Sequence, residues 1–180
     1  MAWTFLLVGR NTARLAADLS NVGPSDVVVD VGCGAGNAAR AAARRGARVT
    51  GVDPSPTMLT VARRATRRLP ALTWAEGTAE SLPIADGSAS LVWALATVHH
   101  WRDVDAALAE IVRVLASGGR LLALERQSPP DATGMASHGW TAQQAESFAA
   151  LCRSKGMGEV RVTEERAGRR RLWAVRATRG

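Results

Sequence analysis

A chain of 180 residues with 47% apolar composition is the right size for one domain around a single core, and no linker-like or low-complexity stretch divides residues 1–180. No uninterrupted apolar run is long enough to cross a bilayer, and no basic segment followed by an apolar region and a cleavage site opens the chain, so a cytoplasmic protein is expected. The net charge of +7 admits nucleic acid, a membrane surface or an acidic substrate, but almost all of it is arginine, and solvated helix faces (Arg40, Arg44, Arg45, Arg63, Arg64, Arg67, Arg68) account for it better than a nucleic-acid footprint.

In chain order, Asn11 is placed to cap a short helix over Thr12 to Leu19, within an N-terminal cap spanning 1–24. Val27 to Val31 is a continuous apolar run, followed by three glycines and a small-residue segment that reads as a helix. Val49 to Val52 is a second run, and a helix starts at Pro56 behind Ser55, a capping residue followed by proline in the first turn. Leu91 to Leu95 is a third run. Val104 to Leu115 then gives a clear amphipathic helix, with Asp103 as its cap and Gly118 beyond its end. Leu121 to Leu124 is the fourth run. Thr141 and Gln144 form a capping box for a helix that reaches Lys155 and closes at Gly156. Two alternating strands around Ala167 and Gly168 read as a hairpin, completing a C-terminal unit over 141–178.

Continuous apolar runs suit strands covered on both faces, the signature of a parallel sheet with helices on each side. A sheet that begins in strand-helix-strand repeats and ends in a hairpin must contain an antiparallel strand. Cys33 sits among glycines and Cys152 in a helical pattern, so neither a disulfide nor a thiolate metal site is expected.

The stretch VVVDVGCGAGNAA, Val27 to Ala39, carries the chemistry. A strand turning sharply into a helix aims the helix N–H groups at a ligand, and glycine permits positive φ and close backbone approach. Gly32, Gly34 and Gly36 are therefore expected to line a cofactor. Asp30 ends the first strand, and Asp53 ends the next, where a carboxylate suits a ribose diol. The same GAGNAA also satisfies the glycine pattern of nicotinamide and flavin enzymes, so the loop alone leaves the cofactor open.

Five motifs in order resolve it: Asp30 to Gly36, VTGVDPSPTML, AEGTAESLPIADGS, VHHW and EIVRVLASGGRLLALE. Together, over about Leu19 to Glu125, they resemble the class I S-adenosylmethionine-dependent methyltransferases of the small-molecule type that includes ubiquinone and menaquinone biosynthesis enzymes. The resemblance implies an α/β, Rossmann-like, doubly wound sheet of seven mostly parallel strands with a C-terminal antiparallel hairpin and helices on both faces. It implies S-adenosyl-L-methionine as cofactor and S-adenosyl-L-homocysteine as product. Asp30, Gly32, Cys33 and Gly34, with the backbone near Gly36, would hold the methionine part, and Asp53 the ribose. Pro54 and Met58 would flank the adenine, with Thr78, Ala79 and Glu80 at its edge: an N–H from Ala79 and a carboxylate from Glu80. A carbonyl from Ala94 or Leu95 would meet the cofactor's amino group. The sequence departs from the family at Ala89-Ser90, where Phe-Asp is common, and at Ala116-Ser117, where Lys-Pro is. The segments from which the family builds a substrate lid, before the first strand and over Gln127 to Trp140, are short, which implies an open site or one closed by a second copy in a homodimer.

Methyl transfer from a sulfonium asks mainly for in-line positioning and exclusion of water. His99 and His100 are the candidates for a base or for positioning the acceptor. Trp101, Trp140, Glu125 and Arg126 are candidate substrate contacts, and Trp173 reads as core. A metal site on His99, His100 and Asp103 is not expected, because adjacent histidines on a turn point apart and no third strong ligand lies near in sequence. Two other classes fit parts of the sequence. A nucleic-acid methyltransferase would use Arg169 to Arg171, but the third run, Leu91 to Leu95, leads into ALATVHH and not into the Asn/Asp-Pro-Pro-aromatic loop of the amino-group enzymes. A nicotinamide-linked or non-catalytic binding protein would share the sheet, but the chain has no tyrosine for a Tyr-x-x-x-Lys pair.

Overall fold

A computed structural model describes residues 9–66, 69 and 71–180, with the side chains of 135 and 136 excepted. Arg67 and Arg68, and the part of the N-terminal cap before residue 9, lie outside the described residues. Helix α1 (Arg10–Leu19) leads to β1 (Val27–Val31), α2 (Asn37–Ala43), β2 (Arg48–Asp53), α3 (Pro56–Ala65), β3 (Leu72–Glu76) and β4 (Ala89–Leu95). A short 3₁₀ turn (Val98–His100) precedes α4 (Val104–Val114) and β5 (Leu115–Arg126). A second 3₁₀ turn (Gly134–Ser137) precedes α5 (Ala142–Ser154), β6 (Met157–Ala167) and β7 (Arg170–Arg179).

The strands form one seven-stranded sheet in the order β3-β2-β1-β4-β5-β7-β6. The first five pair in parallel, while β7 runs antiparallel to both β5 and β6. The expected doubly wound sheet with a terminal antiparallel hairpin is thus observed. Its two faces carry separate apolar layers. One is built with Leu108 and Ile111 of α4 and Phe148 and Cys152 of α5; the other with Ala16 and Ala17 of α1 and Ala39 and Ala42 of α2. Cys33 and Cys152 are both free and buried. Among the described residues, no helix is long and apolar enough to cross a membrane.

Most caps follow the sequence. Ser55 accepts from the Met58 N–H, Asp103 from the Ala106 N–H, and the Thr141–Gln144 box closes in both directions. The first helix is the exception. It begins at Arg10 behind Gly9, which adopts φ 102, so Asn11 lies inside the helix and caps nothing. Strand β3 is an addition. Its segment LTWAE is half-exposed along its length and shows none of the apolar continuity of the inner strands.

The starts of β1 and β4 and the middle of β5 meet at one buried carboxylate. Asp26 is 6% exposed and accepts from the Gly23 N–H at 3.0 Å, the Ser90 hydroxyl at 2.7 Å and the Arg120 guanidinium at 2.6 Å. Burial opposes its charge, yet the Ser90 and Gly23 hydrogen bonds and the Arg120 cation hold its carboxyl below the usual range. Ser90, which departs from the family pattern at the start of β4, also accepts from the Val27 N–H at 3.0 Å. Arg120 further donates to the Ser20 carbonyl, and the Ser20 hydroxyl accepts from the fully buried Trp93 indole at 2.9 Å. Asp26 is buried but the Arg120 side chain is 39% exposed, so the loss is that of buried hydrogen bonds and a part-screened ion pair. Asp26→Ala is expected to lower stability by about 2 kcal/mol in urea denaturation, with Asp26→Asn intermediate; a loss below about 0.5 kcal/mol would show that the strands hold together without this joint.

Candidate active site

The carboxyl ends of β1, β2 and β4 open onto one edge of the sheet, where the glycine loop crosses from β1 to α2. The loop is fastened to β2. Gly32 and Cys33 donate to the Val52 carbonyl at 2.8 and 3.0 Å, and Gly34 donates to Asp53 Oδ2 at 2.8 Å. The other Asp53 oxygen accepts from the Ser55 N–H at 2.9 Å. Asp30 is 2% exposed and accepts from the Ala39 N–H at 3.1 Å in the first turn of α2. Burial, with the nearby Asp53 charge, raises its carboxyl to about 7.

Two glycines are required here for different reasons. Gly32, at φ 68, has no room for a side chain, since a Cβ would lie 2.0 Å from the Thr97 hydroxyl oxygen. Gly34, at φ 52, has nothing within 4 Å of where a Cβ would be, so its bare backbone faces open space. Gly36 does not line the cavity as expected. It is buried as the N-cap of α2 against the Trp74 ring, and serves packing.

Two cavities flank the loop. One, of about 260 Å³, is lined by Asp30, Gly32, Cys33, Gly34, Met58 and Leu95, with Thr12, Asn37, Ala96 and Arg170 at its rim. The other, of about 220 Å³, is lined by Pro54, Thr78, Ala79, Glu80, His100 and Trp101. Pro54 and Met58, expected on one ring, therefore line different cavities. Ala94 is fully buried in β4, which leaves Leu95 as the member of that pair at the cavity. Burial and the carboxylates of Asp30 and Asp53 push the Cys33 thiol up, so it presents an un-ionised group. Glu80 Oε1 accepts from the Arg102 N–H at 2.8 Å and the Asp103 N–H at 3.3 Å, bracing the approach to α4.

Ala96 is a residue the sequence did not flag. It follows β4 at φ 55, a left-handed conformation that costs a non-glycine residue free energy, and donates to the Leu124 carbonyl at 2.7 Å. Thr12 and Arg170 were also missed, because α1 and the terminal hairpin reach the site only through the folded sheet.

A third cavity, of about 480 Å³, lies on the other side of the Val98–His100 turn and is lined by His99, Trp101, Val104, Trp140, Gln144 and Phe148. The Trp140 and Phe148 rings lie 4.9 Å apart at their centroids. Glu125 is not available to substrate as expected. It is fully buried, with Oε1 accepting from the Val98 N–H at 2.8 Å and Oε2 lying 2.9 Å from His99 Nδ1. Arg126 points the other way, donating to the His138 carbonyl at 3.2 Å. Trp173 is partly buried against the core layer beneath α4 and α5.

The expectation that His99 and His100 diverge, with no third ligand near, does not hold. Their ring centroids are 4.0 Å apart, and His138 lies 5.4 and 5.7 Å from them. The tight 3₁₀ turn keeps the adjacent rings together, and the segment after β5, laid beside β4, carries His138 in. Partial burial and the neighbouring His99 and His138 rings hold the His100 imidazole below its usual value.

Asp30 gives a measurable consequence. An unfolded carboxyl titrates near 3.8 and the folded one at about 7, so the native state binds the extra proton between those values and stability falls as pH rises across that range. The difference corresponds to about 4 kcal/mol. Thermal unfolding is expected to show this decline, and Asp30→Asn, which keeps an acceptor for Ala39, should flatten it; an equal slope in the variant would mean that Asp30 ionises normally.

Comparison with known proteins agrees with this arrangement. The family described as a methyltransferase domain matches residues 29–123. Demethylmenaquinone methyltransferase of Tropheryma whipplei (strain Twist) is 36% identical over 116 residues, covering 64% of this chain and 48% of that protein. The ubiquinone/menaquinone biosynthesis C-methyltransferase of Rubrivivax gelatinosus is 39% identical over 102 residues, covering 57% and 40%. The chain thus spans about half the length, or less, of these curated relatives. A solved SAM-dependent methyltransferase from Aquifex aeolicus shares the fold at a TM-score of 0.80 and 16% identity, over 98% of this chain and 96% of that one. On the match across more than half its length, with the sheet order and glycine loop in place, the chain belongs to the methyltransferase domain family.

Proposed function

We propose that the chain binds S-adenosylmethionine and transfers its methyl group to a small, flat, largely apolar acceptor. The observation that carries the reading is the open Gly34 backbone between two acidic strand ends, Asp30 and Asp53, beside a cavity of about 260 Å³. The residues fit the cofactor. Each Asp53 oxygen already accepts one N–H, and its second lone pair remains for a ribose hydroxyl. Asp30 places a buried carboxyl where a positively charged methionine group would be neutralised. Pro54, Ala79 and the rim of the second cavity suit a flat adenine ring.

When bound, the cofactor supplies a methyl group activated on a sulfonium. The chain's own part is to orient the acceptor and exclude water. Trp101, Trp140 and Phe148 offer aromatic faces to an apolar acceptor in the third cavity, a chemistry matching the quinone enzymes named among the relatives. Trp101 borders both the second and third cavities, so it stands between the two reactants. Glu125 fixes the orientation of the His99 ring, which leaves Nε2 to take or hold a proton of the acceptor. The reading carries with it a cytoplasmic enzyme and a homodimer whose second copy covers the third cavity, which sedimentation velocity would test.

Calorimetric titration with S-adenosylhomocysteine should show saturable binding, and none with NADH or NADPH. Asp53→Ala should weaken it about a hundredfold, the worth of two charge-assisted hydrogen bonds; unchanged affinity in a folded variant would mean that the ribose lies elsewhere. Radiolabelled methyl transfer to a short-chain demethylmenaquinol tests the acceptor, and cofactor binding without transfer to any quinol would overturn that acceptor class alone.

A further inference from the structure

The chain contains three histidines, and all three come together. One ring nitrogen each of His99, His100 and His138 lies within 4.8 Å of the others. Two come from the turn after β4 and one from the segment after β5, so 37 residues of chain separate parts of one cluster. The backbone delivering His138 is pinned on both sides. Arg126 donates to the His138 carbonyl, the Trp140 N–H donates to the Arg126 carbonyl at 2.8 Å, and the Ser128 N–H donates to the Trp140 carbonyl at 2.8 Å. Gly139 lies so close to β5 that a Cβ there would sit 2.2 Å from the Arg126 carbonyl oxygen.

Behind the cluster stands Glu125, fully buried, its carboxylate against His99 Nδ1. A carboxylate behind a histidine is the arrangement that fixes ring orientation and raises ligand basicity in metal sites, leaving the other nitrogen outward. The two exposed rings, His100 and His138, carry no such constraint and can turn toward a shared ion.

We propose that His99, His100 and His138 bind one divalent transition-metal ion of the zinc class, with Glu125 orienting His99. Three imidazoles suit zinc, and a set of three protein ligands leaves a fourth position for an exchangeable oxygen or sulfur. His100 lines the second cavity and His99 the third, so the ion would sit where the two adjoin. An acceptor hydroxyl or thiol entering the open position would lose its proton more readily, the proton passing to solvent and the oxygen or sulfur remaining on the metal as the anion, so that His99 would not be needed as a base. This last role rests on the proposed methyl transfer; the binding of the ion does not.

The test uses the full chain, stripped with chelator and titrated with Zn²⁺ and, separately, with Co²⁺, whose visible absorption reports its coordination. One equivalent of Co²⁺ should bind with a four- or five-coordinate spectrum and be displaced by Zn²⁺. His138→Ala, at an exposed position, should weaken binding about a hundredfold, and Glu125→Gln about ten- to a hundredfold. Absence of saturable binding to the wild type, or wild-type affinity in His138→Ala, overturns the proposal. Titration of the same samples with S-adenosylhomocysteine keeps the two readings apart: cofactor binding without metal binding removes the metal site alone, and metal binding without cofactor binding removes the methyl-transfer reading alone.

Discussion

The carboxylate of Asp53 is the joint on which the glycine loop turns. One oxygen holds Gly34 in the loop and the other holds Ser55 at the head of α3, so the exits of two neighbouring strands are fixed to each other by a single side chain. The Val52 carbonyl adds the Gly32 and Cys33 N–H groups. With those contacts made, the loop has no freedom to collapse into the space beyond it, and the cavities on either side follow as the volume that β1, β2 and β4 leave uncovered at their ends. Asp53 is therefore structural in its own right: both of its oxygens accept a backbone N–H, one from the loop and one from the head of α3.

Local chemistry made most of the fold legible. Unbroken apolar runs marked the inner strands, and caps such as Ser55, Asp103 and Thr141 act within three residues of their own position, so nothing distant can override them. The misses share a different cause. Strand β3 lies at the sheet edge, where one side needs no apolar cover, so LTWAE carries no strand pattern strong enough to read. Asn11 has the right chemistry for a cap, but Gly9, with its positive φ, takes the cap position two residues earlier.

The site divides along the same line. Asp30, Gly32, Gly34 and Asp53 stand out in the sequence because each lies where an apolar run ends, although the contacts they make cross between strands, Gly34 to Asp53 and Gly32 to Val52. Glu125 and the histidine cluster were misread because their meaning depends on β4 lying beside β5. A glutamate at a strand end looks exposed in sequence, and only the parallel pairing turns it inward under Val98 and His99. Gly36 was misread for a similar reason. Trp74, which takes its place, belongs to the edge strand that the sequence concealed, and the same ring covers Gly51 in β2.

The buried carboxyl of Asp30 has one more consequence. Close to neutral pH it carries a proton for part of the time, so the deepest wall of the cavity is close to electrically balanced while no cation is near. A positive charge arriving there favours the ionised form and expels that proton. Entry of a cation and release of a proton then become one exchange, whose heat depends on the buffer that receives the proton and whose affinity rises with pH until Asp30 is fully ionised. The acid at the end of the first strand thus works as a counter-ion that is made on demand, sparing the core the cost of a standing charge.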